Sequence, residues 1–195
     1  WAAAAVFALL AVVATTWALL PRATPPETRL EITTPETNDP VSFAISPDGR
    51  QLVFAASATG GLSQLWLRPL DRTTPQALAG TEGASFPFWS PDSRSVAFFV
   101  AGKLKRLDIG GGLPQTLASL GNNGRGGSWS AAGVMLLGQS AGPLVRVPAA
   151  GGVATPATTL APEQASHRLP HFLPGGRQFL FYVQGASGGL YLGSL

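Results

Sequence analysis

Ser42-Phe-Ala-Ile-Ser-Pro-Asp-Gly-Arg-Gln-Leu-Val-Phe-Ala55 returns as Phe86-Pro-Phe-Trp-Ser-Pro-Asp-Ser-Arg-Ser-Val-Ala-Phe-Phe99. It returns twice more, loosely, as Gly126-Gly-Ser-Trp-Ser-Ala-Ala-Gly-Val-Met-Leu-Leu137 and Leu169-Pro-His-Phe-Leu-Pro-Gly-Gly-Arg-Gln-Phe-Leu-Phe-Tyr182. Aligned on Ser46, Ser90, Ser130 and Leu173, the copies lie 44, 40 and 43 residues apart. That is the period of a four-stranded blade in a radial all-β array, in which no unit can bury its own faces and each must stack on its neighbours.

Within one copy the order of residues describes a hairpin. A large apolar residue stands just before the bend, at Ile45, Trp89, Trp129 and Phe172, and is expected in the core. Ser46-Pro47-Asp48-Gly49 has the chemistry of a type I turn closed by a left-handed residue: proline presets φ, aspartate tolerates the third position and glycine accepts positive φ. Pro91-Asp92 repeats this, while Pro174 keeps only the proline; Gly133 and Gly176 hold the glycine position, and Ser93 replaces it at an expected cost of several tenths to about 1 kcal/mol. The next strand is apolar on both faces (Leu52–Phe54, Val96–Phe99, Met135–Leu137, Phe179–Phe181), which calls for cover on both sides. A third strand follows at Leu65–Leu70, Leu104–Ile109, Leu144–Val147 and Leu190–Leu192. Outer strands are expected at Gln76–Leu78 and Gln115–Leu117, and a weaker one at Ala154–Thr159. The reading is therefore an incomplete β-propeller over 29–195, with blades near 29–80, 81–120, 121–160 and 161–195. The last blade stops before its outer strand, so Arg29–Thr34 would be its clasp in a closed ring; a chain continuing past Leu195 is the favoured expectation, because a free edge invites aggregation.

Two segments precede the repeats. Trp1–Leu20 carries no charged residue and is about 30 Å long as a helix, so it is expected to cross a membrane. A cleaved signal peptide would show a shorter apolar core behind a basic start. Residues 21–28, with three prolines, form an extended spacer.

Composition closes several functional classes. The chain of 195 residues has no cysteine, which excludes disulfides, thiolate metal sites and cysteine nucleophiles. Its formal charge of +3 comes from 13 scattered basic and 10 acidic side chains. Only Lys103-Leu-Lys-Arg106 clusters, and a strand would split it between two faces, so nucleic acid is not an expected partner.

Gly185-Ala-Ser-Gly-Gly189 matches the spacing of a hydrolase nucleophile elbow, but the elbow requires a following helix, and Leu190–Leu192 reads as a strand. His167 and His171 have helical ligand spacing, yet Pro170 makes the segment extended and no third ligand is evident, so turn or loop-edge histidines are expected. Gly121–Gly127 resembles an anion-binding loop but reads as a flexible interblade connection, and Trp66, Trp89 and Trp129 as packing groups rather than stacking platforms. No catalytic, cofactor-binding or metal-binding residue is assigned.

The turns Ser46–Arg50 and Ser90–Arg94 and the run Phe86–Asp92 resemble TolB-like, WD-repeat-like bacterial propellers. The order of features, with Arg29–Pro35, Leu65–Arg68, Ala79–Ala84 and Gly102–Arg106, is similar to membrane-anchored bacterial serine/threonine protein kinases, whose external propeller follows a kinase domain and one membrane helix. The third copy departs from the pattern at Ala131 and Ala132, and the fourth at Gly175; none of the kinase motifs is present. The resemblance implies a non-catalytic sensor or interaction propeller outside the cytoplasm, in a single-pass membrane protein, meeting a protein or small-molecule ligand at its rim or central channel. The alternatives are a TolB-like envelope scaffold that binds proteins and the propeller lid of a prolyl-oligopeptidase-type hydrolase.

Overall fold

The structure, a computed structural model, describes residues 34–37, 39–57, 61–121 and 123–195. The expected membrane segment, the spacer and Arg29–Thr33 lie outside the described residues. Among the described residues no helix is long and apolar enough to cross a membrane.

The described residues form fifteen strands in four antiparallel sheets, each a simple meander along the chain. Blade 1 comprises β1 (Phe43–Ile45), β2 (Gln51–Ala56), β3 (Gln64–Pro69) and β4 (Gln76–Ala77). Blade 2 comprises β5 (Ser85–Trp89), β6 (Ser95–Val100), β7 (Lys103–Asp108) and β8 (Gln115–Ser119). Blade 3 runs through β9 (Gly124–Trp129), β10 (Val134–Gln139), β11 (Val145–Pro148) and β12 (Thr155–Pro156). Blade 4 has β13 (Gln164–Phe172), β14 (Gln178–Gly185) and β15 (Gly189–Ser194), and no outer strand among the described residues.

The expected turn is present in all four blades. Gly49, Ser93, Gly133 and Gly176 occupy the left-handed region, with φ of 69, 59, 77 and 67°. Side chains lock the first two. Ser46 Oγ donates to Asp48 Oδ1 at 2.5 Å and accepts from the Gln51 amide at 2.9 Å, while Asp48 Oδ1 takes the Arg50 amide. Ser90, Asp92, Arg94 and Ser95 repeat the arrangement. The hydroxyl bond and the amide bond hold both carboxyls below the ordinary aspartate range. Blade 3 retains only Ser130, and blade 4, with Leu173, closes on backbone bonds alone.

The continuous apolar second strands are explained by stacking. Register places Leu52, Val96, Met135 and Phe179 at equivalent positions on one face, here called the leading face. Val53, Ala97, Leu136 and Leu180 hold the equivalent positions on the opposite, trailing face. Each trailing face packs on the next leading face. Val53, Ala55, Leu65 and Leu67 meet Trp89, Val96 and Phe98; Ala97, Phe99 and Leu104 meet Met135, Leu137 and Val147; Leu136 and Leu144 meet Phe179, Phe181 and Val183. Full burial of side chains this size contributes about 1.5–3 kcal/mol each.

Three expectations require correction. Ile45 is 58% exposed, although its equivalents Trp89, Trp129 and Phe172 pack against the blade before them. It sits on the leading face of blade 1, and no blade precedes β1 among the described residues. The strand β14 is not covered on both sides: Leu180 and Tyr182 are exposed where Val53, Ala97 and Leu136 are fully buried. Gly121–Gly127 is not simply a loop, because Gly124–Gly127 belong to the inner strand β9. A side chain at Gly124 would overlap the Phe99 ring, and one at Gly127 the Phe88 ring, so these glycines let blade 2 close onto blade 3.

Candidate functional site

The innermost strands β1, β5, β9 and β13 line a shared cleft of about 480 Å³, within the range of small-ligand sites. A depression of about 590 Å³ lies elsewhere, between Gly49–Gln51 and Pro69–Arg72, but it belongs to one blade. The cleft is the only one of the two to which every blade contributes, as a binding site built by radial repetition requires.

Its shape comes from a backbone feature at one repeat position. Four residues before the turn, Phe86, Gly126 and Leu169 have positive φ of 48, 88 and 50°. Each inner strand is irregular there: the pairing register slips between Ser85 and Phe88, between Leu137 and Gln139 opposite β9, and between Arg168 and His171. A bulge bends the strand and re-aims the side chains after it. A positive φ is unusual for phenylalanine and leucine, so packing must hold it in place. Blade 1 has Ser42 at the same position, and its buried hydroxyl accepts the Phe86 amide at 2.7 Å across the blade boundary. Ser128 Oγ accepts the Phe172 amide at 3.0 Å between blades 3 and 4. Gly126 is required where Leu169 comes close, since a Cβ there would stand 2.9 Å from Leu169 Cα.

The side chains of the cleft are mostly apolar, set among exposed backbone groups, Ser128 and His171. Val41, Phe43, Ile45 and Leu169 present side chains 51–62% exposed, backed by Phe88, Trp89 and Trp129. Trp89 is itself buried and donates from Nε1 to Ala44 O at 3.0 Å, which fixes it as an interblade wedge. Trp129 and Phe172 are partly buried against the same kind of interface. Trp66 donates to Ala56 O at 3.2 Å within blade 1 and takes no part in the cleft. The turn residues Pro47, Asp48, Pro91, Asp92 and Pro174 are exposed at the ends of the hairpins, and of these only Pro47 reaches the cleft.

His171 is the sole titratable group among the lining residues. The Ser128 hydroxyl is engaged by the Phe172 amide and makes no hydrogen bond to His171, so the lining holds no paired nucleophile and base. His167 is not at a loop edge but buried in β13. Gln164 Oε1, which also accepts the Ala161 amide, takes the proton of His167 Nε2 at 2.9 Å, so in the neutral ring Nδ1 accepts from the Thr158 hydroxyl at 2.7 Å, whose oxygen also accepts the Leu144 amide. Burial lowers its pKa. Ser187, in the elbow-like stretch, is exposed on the hairpin from β14 to β15, and its carbonyl accepts the Tyr191 hydroxyl. No grouping of three metal-ligating side chains occurs among the described residues.

Sequence reading missed Phe43, Phe86 and Leu169 as cleft-forming residues. A signal for two of them was present. Phe86-Pro87 and Leu169-Pro170 fall at the same repeat offset, and proline inside a sheet marks an edge or a bulge.

The arrangement defines the class: a β-propeller of meandering antiparallel blades around a common cleft. No known protein-family profile matches the chain, and no curated protein does. Solved structures match its fold. A putative TolB from Agrobacterium tumefaciens aligns with a TM-score of 0.70 and 20% identity, over 79% of this chain and 61% of that one. TolB from Acinetobacter baumannii aligns with a TM-score of 0.63 and 21% identity, over 78% of this chain and 40% of that one. A mutant puromycin hydrolase aligns at 0.56 and 19% identity, over 77% of this chain and 26% of that one. The chain thus has a TolB-like propeller fold and spans less than two thirds of the TolB structures it matches.

Proposed function

We propose that this chain is a non-catalytic interaction propeller outside the cytoplasm, held at the membrane by Trp1–Leu20 and recognising an apolar protein segment or small ligand in the cleft between its inner strands. The observation that carries this reading is the lining itself: blades 1 and 4 contribute the exposed apolar side chains Val41, Phe43, Ile45 and Leu169, blades 2 and 3 back them with buried Phe88 and Trp89 and half-buried Trp129, and a single titratable group, His171, stands among them. Such a surface gains free energy by removing apolar area from water, with His171 as its one ionisable side chain. The likeness to TolB structures supports an envelope role. The order of membrane segment, spacer and propeller supports the finer reading, in which the propeller is the sensor of a membrane-anchored serine/threonine protein kinase. The match to a mutant puromycin hydrolase is the observation on the side of a hydrolase lid.

A photo-crosslinking residue in place of Phe43, in cells carrying the full chain, tests the reading. A discrete adduct that disappears when Leu169 is also changed to Lys supports it. Adducts that persist unchanged in the double variant, or none at all, overturn it. Protease added to cells with a permeabilised outer envelope should digest the propeller; protection would place it in the cytoplasm instead.

A further inference from the structure

Building on the reading of the cleft as a binding site, we propose that Arg125 and Arg168 form an anion subsite beside it, which takes the carboxylate of an otherwise apolar ligand. The two arginines share one repeat position, the residue just before the left-handed one, where blade 1 has Val41 and blade 2 has Ser85. They therefore stand at the same level of neighbouring inner strands, β9 and β13, and each is followed directly by a residue of the cleft lining, Gly126 or Leu169. Their backbones come together around Gly138, where an added Cβ would stand 2.5 Å from Arg125 O and 2.8 Å from Arg168 Cα.

Both side chains are half-buried, and among the described residues neither meets a carboxylate; the ion pair there joins Arg106 to Asp108. Arg125 lies over the Phe86 ring, with Cζ 5.5 Å from the centroid, and donates from Nη1 to Gly124 O at 3.2 Å. Arg168 donates from Nε to Ser166 Oγ at 2.8 Å and from Nη2 to Ser140 O at 2.9 Å. These neutral contacts hold both guanidiniums while leaving Nη1 of Arg168, and Nε and Nη2 of Arg125, without a partner among the described residues. Phe86 belongs to blade 2 and Ser140 follows β10 of blade 3, so each arginine is held by the blade before its own, across an interface internal to the chain. A partly buried cation facing only neutral groups is costly, and a carboxylate accepting from both forks offsets that cost with charge-assisted bonds. Phe86, which also lines the cleft, sets apolar surface directly against the charge. The chemistry that fits is therefore an apolar body ending in one carboxylate, as in the free C-terminus of an apolar peptide or a small aromatic acid.

The full chain in nanodiscs is titrated with an N-acetylated apolar dipeptide bearing a free carboxyl terminus, with the same dipeptide as its amide, and with hydrocinnamate. The free acid should bind about tenfold more tightly than the amide. Arg125→Gln and Arg168→Gln should each remove that preference and leave the affinity for the amide unchanged. Arg125→Lys and Arg168→Lys keep the charge but lose the planar fork, and should retain part of the preference even where a Gln variant fails to fold. Hydrocinnamate binding as tightly as the dipeptide acid identifies a small acid as the ligand; binding of the dipeptide acid alone identifies a peptide terminus. Equal affinity for acid and amide overturns the subsite and leaves the apolar cleft standing, and a preference untouched by all of the substitutions overturns it as well. Failure of every probe to bind also overturns the subsite, and the Phe43 crosslink then decides the reading of the cleft separately.

Discussion

The hydroxyl of Ser93 accepts a hydrogen bond from the backbone amide of Asp48 at 3.1 Å, joining the turn of blade 2 to the turn of blade 1. Ser93 stands where blades 1, 3 and 4 have glycine, and it keeps the glycine conformation, with φ of 59°. The unfavourable residue thus returns part of its conformational cost as an interblade bond. Ser93→Ala keeps the strain and loses this exposed bond, and should destabilise by about 0.5–1 kcal/mol. Ser93→Gly relieves the strain as it loses the bond, and should lie within about 0.5 kcal/mol of the parent. Urea unfolding of both variants tests this: an unchanged midpoint in Ser93→Ala would show that the hydroxyl contributes nothing, and equal effects of the two variants that the left-handed conformation costs serine nothing over glycine.

Trp89 and Ile45 share a repeat position but not an environment. Trp89 is buried between blades with its indole bonded to Ala44 O, whereas Ile45 is exposed in the cleft. Trp89→Ala should cost about 3–5 kcal/mol. Ile45→Ala should change stability by less than about 1 kcal/mol, as an exposed truncation leaves no cavity. Thermal or denaturant melts of the two variants test the assignment, and similar losses would contradict it.

Gly127 lies beneath the Phe88 ring, and an added methyl would overlap the ring itself rather than a flexible tip. Gly127→Ala is expected to destabilise by about 1–3 kcal/mol through overpacking. The double variant Gly127→Ala, Phe88→Leu should recover part of that loss, which a double-mutant cycle measures. Strict additivity would rule out the contact.

His167 makes stability depend on pH in one direction. Burial lowers its folded-state pKa below the ordinary value of 6.5, so the unfolded chain takes up the proton first as pH falls. Its contribution is fully present above pH 6.5 and is lost progressively below it, until the folded imidazole also titrates. Protonation at Nδ1 would also force the Thr158 hydroxyl to turn away from it. Denaturant midpoints measured from pH 8 to pH 5 should fall on the acid side, and His167→Gln should flatten that slope.

The repeat made the fold legible because a tight turn, a wedge residue and a doubly covered strand each demand particular residue types at fixed offsets. The second, third and outer strands therefore lie where Leu52–Phe54, Leu104–Ile109 and Gln115–Leu117 place them. What escaped depends on neighbours in space. Ile45 looks like Trp89 in sequence, but its exposure is decided by whether a blade stands in front of it. Gly124 and Gly127 look like loop glycines until the rings of Phe99 and Phe88 are seen to occupy their missing side chains. The cleft was least visible, because its form depends on left-handed Phe86 and Leu169, residue types that carry no intrinsic preference for that conformation.

Among the described residues every sheet pairs each strand with the one just before or after it in the chain. Tension applied along the chain through these blades would accordingly load single hairpins in series, joined to one another by side-chain packing and by a few backbone bonds such as those of Gly142 to Ala165 and His167. As a mechanical element the propeller would behave as a yielding one, paying out length in hairpin-sized steps when what it holds is pulled away.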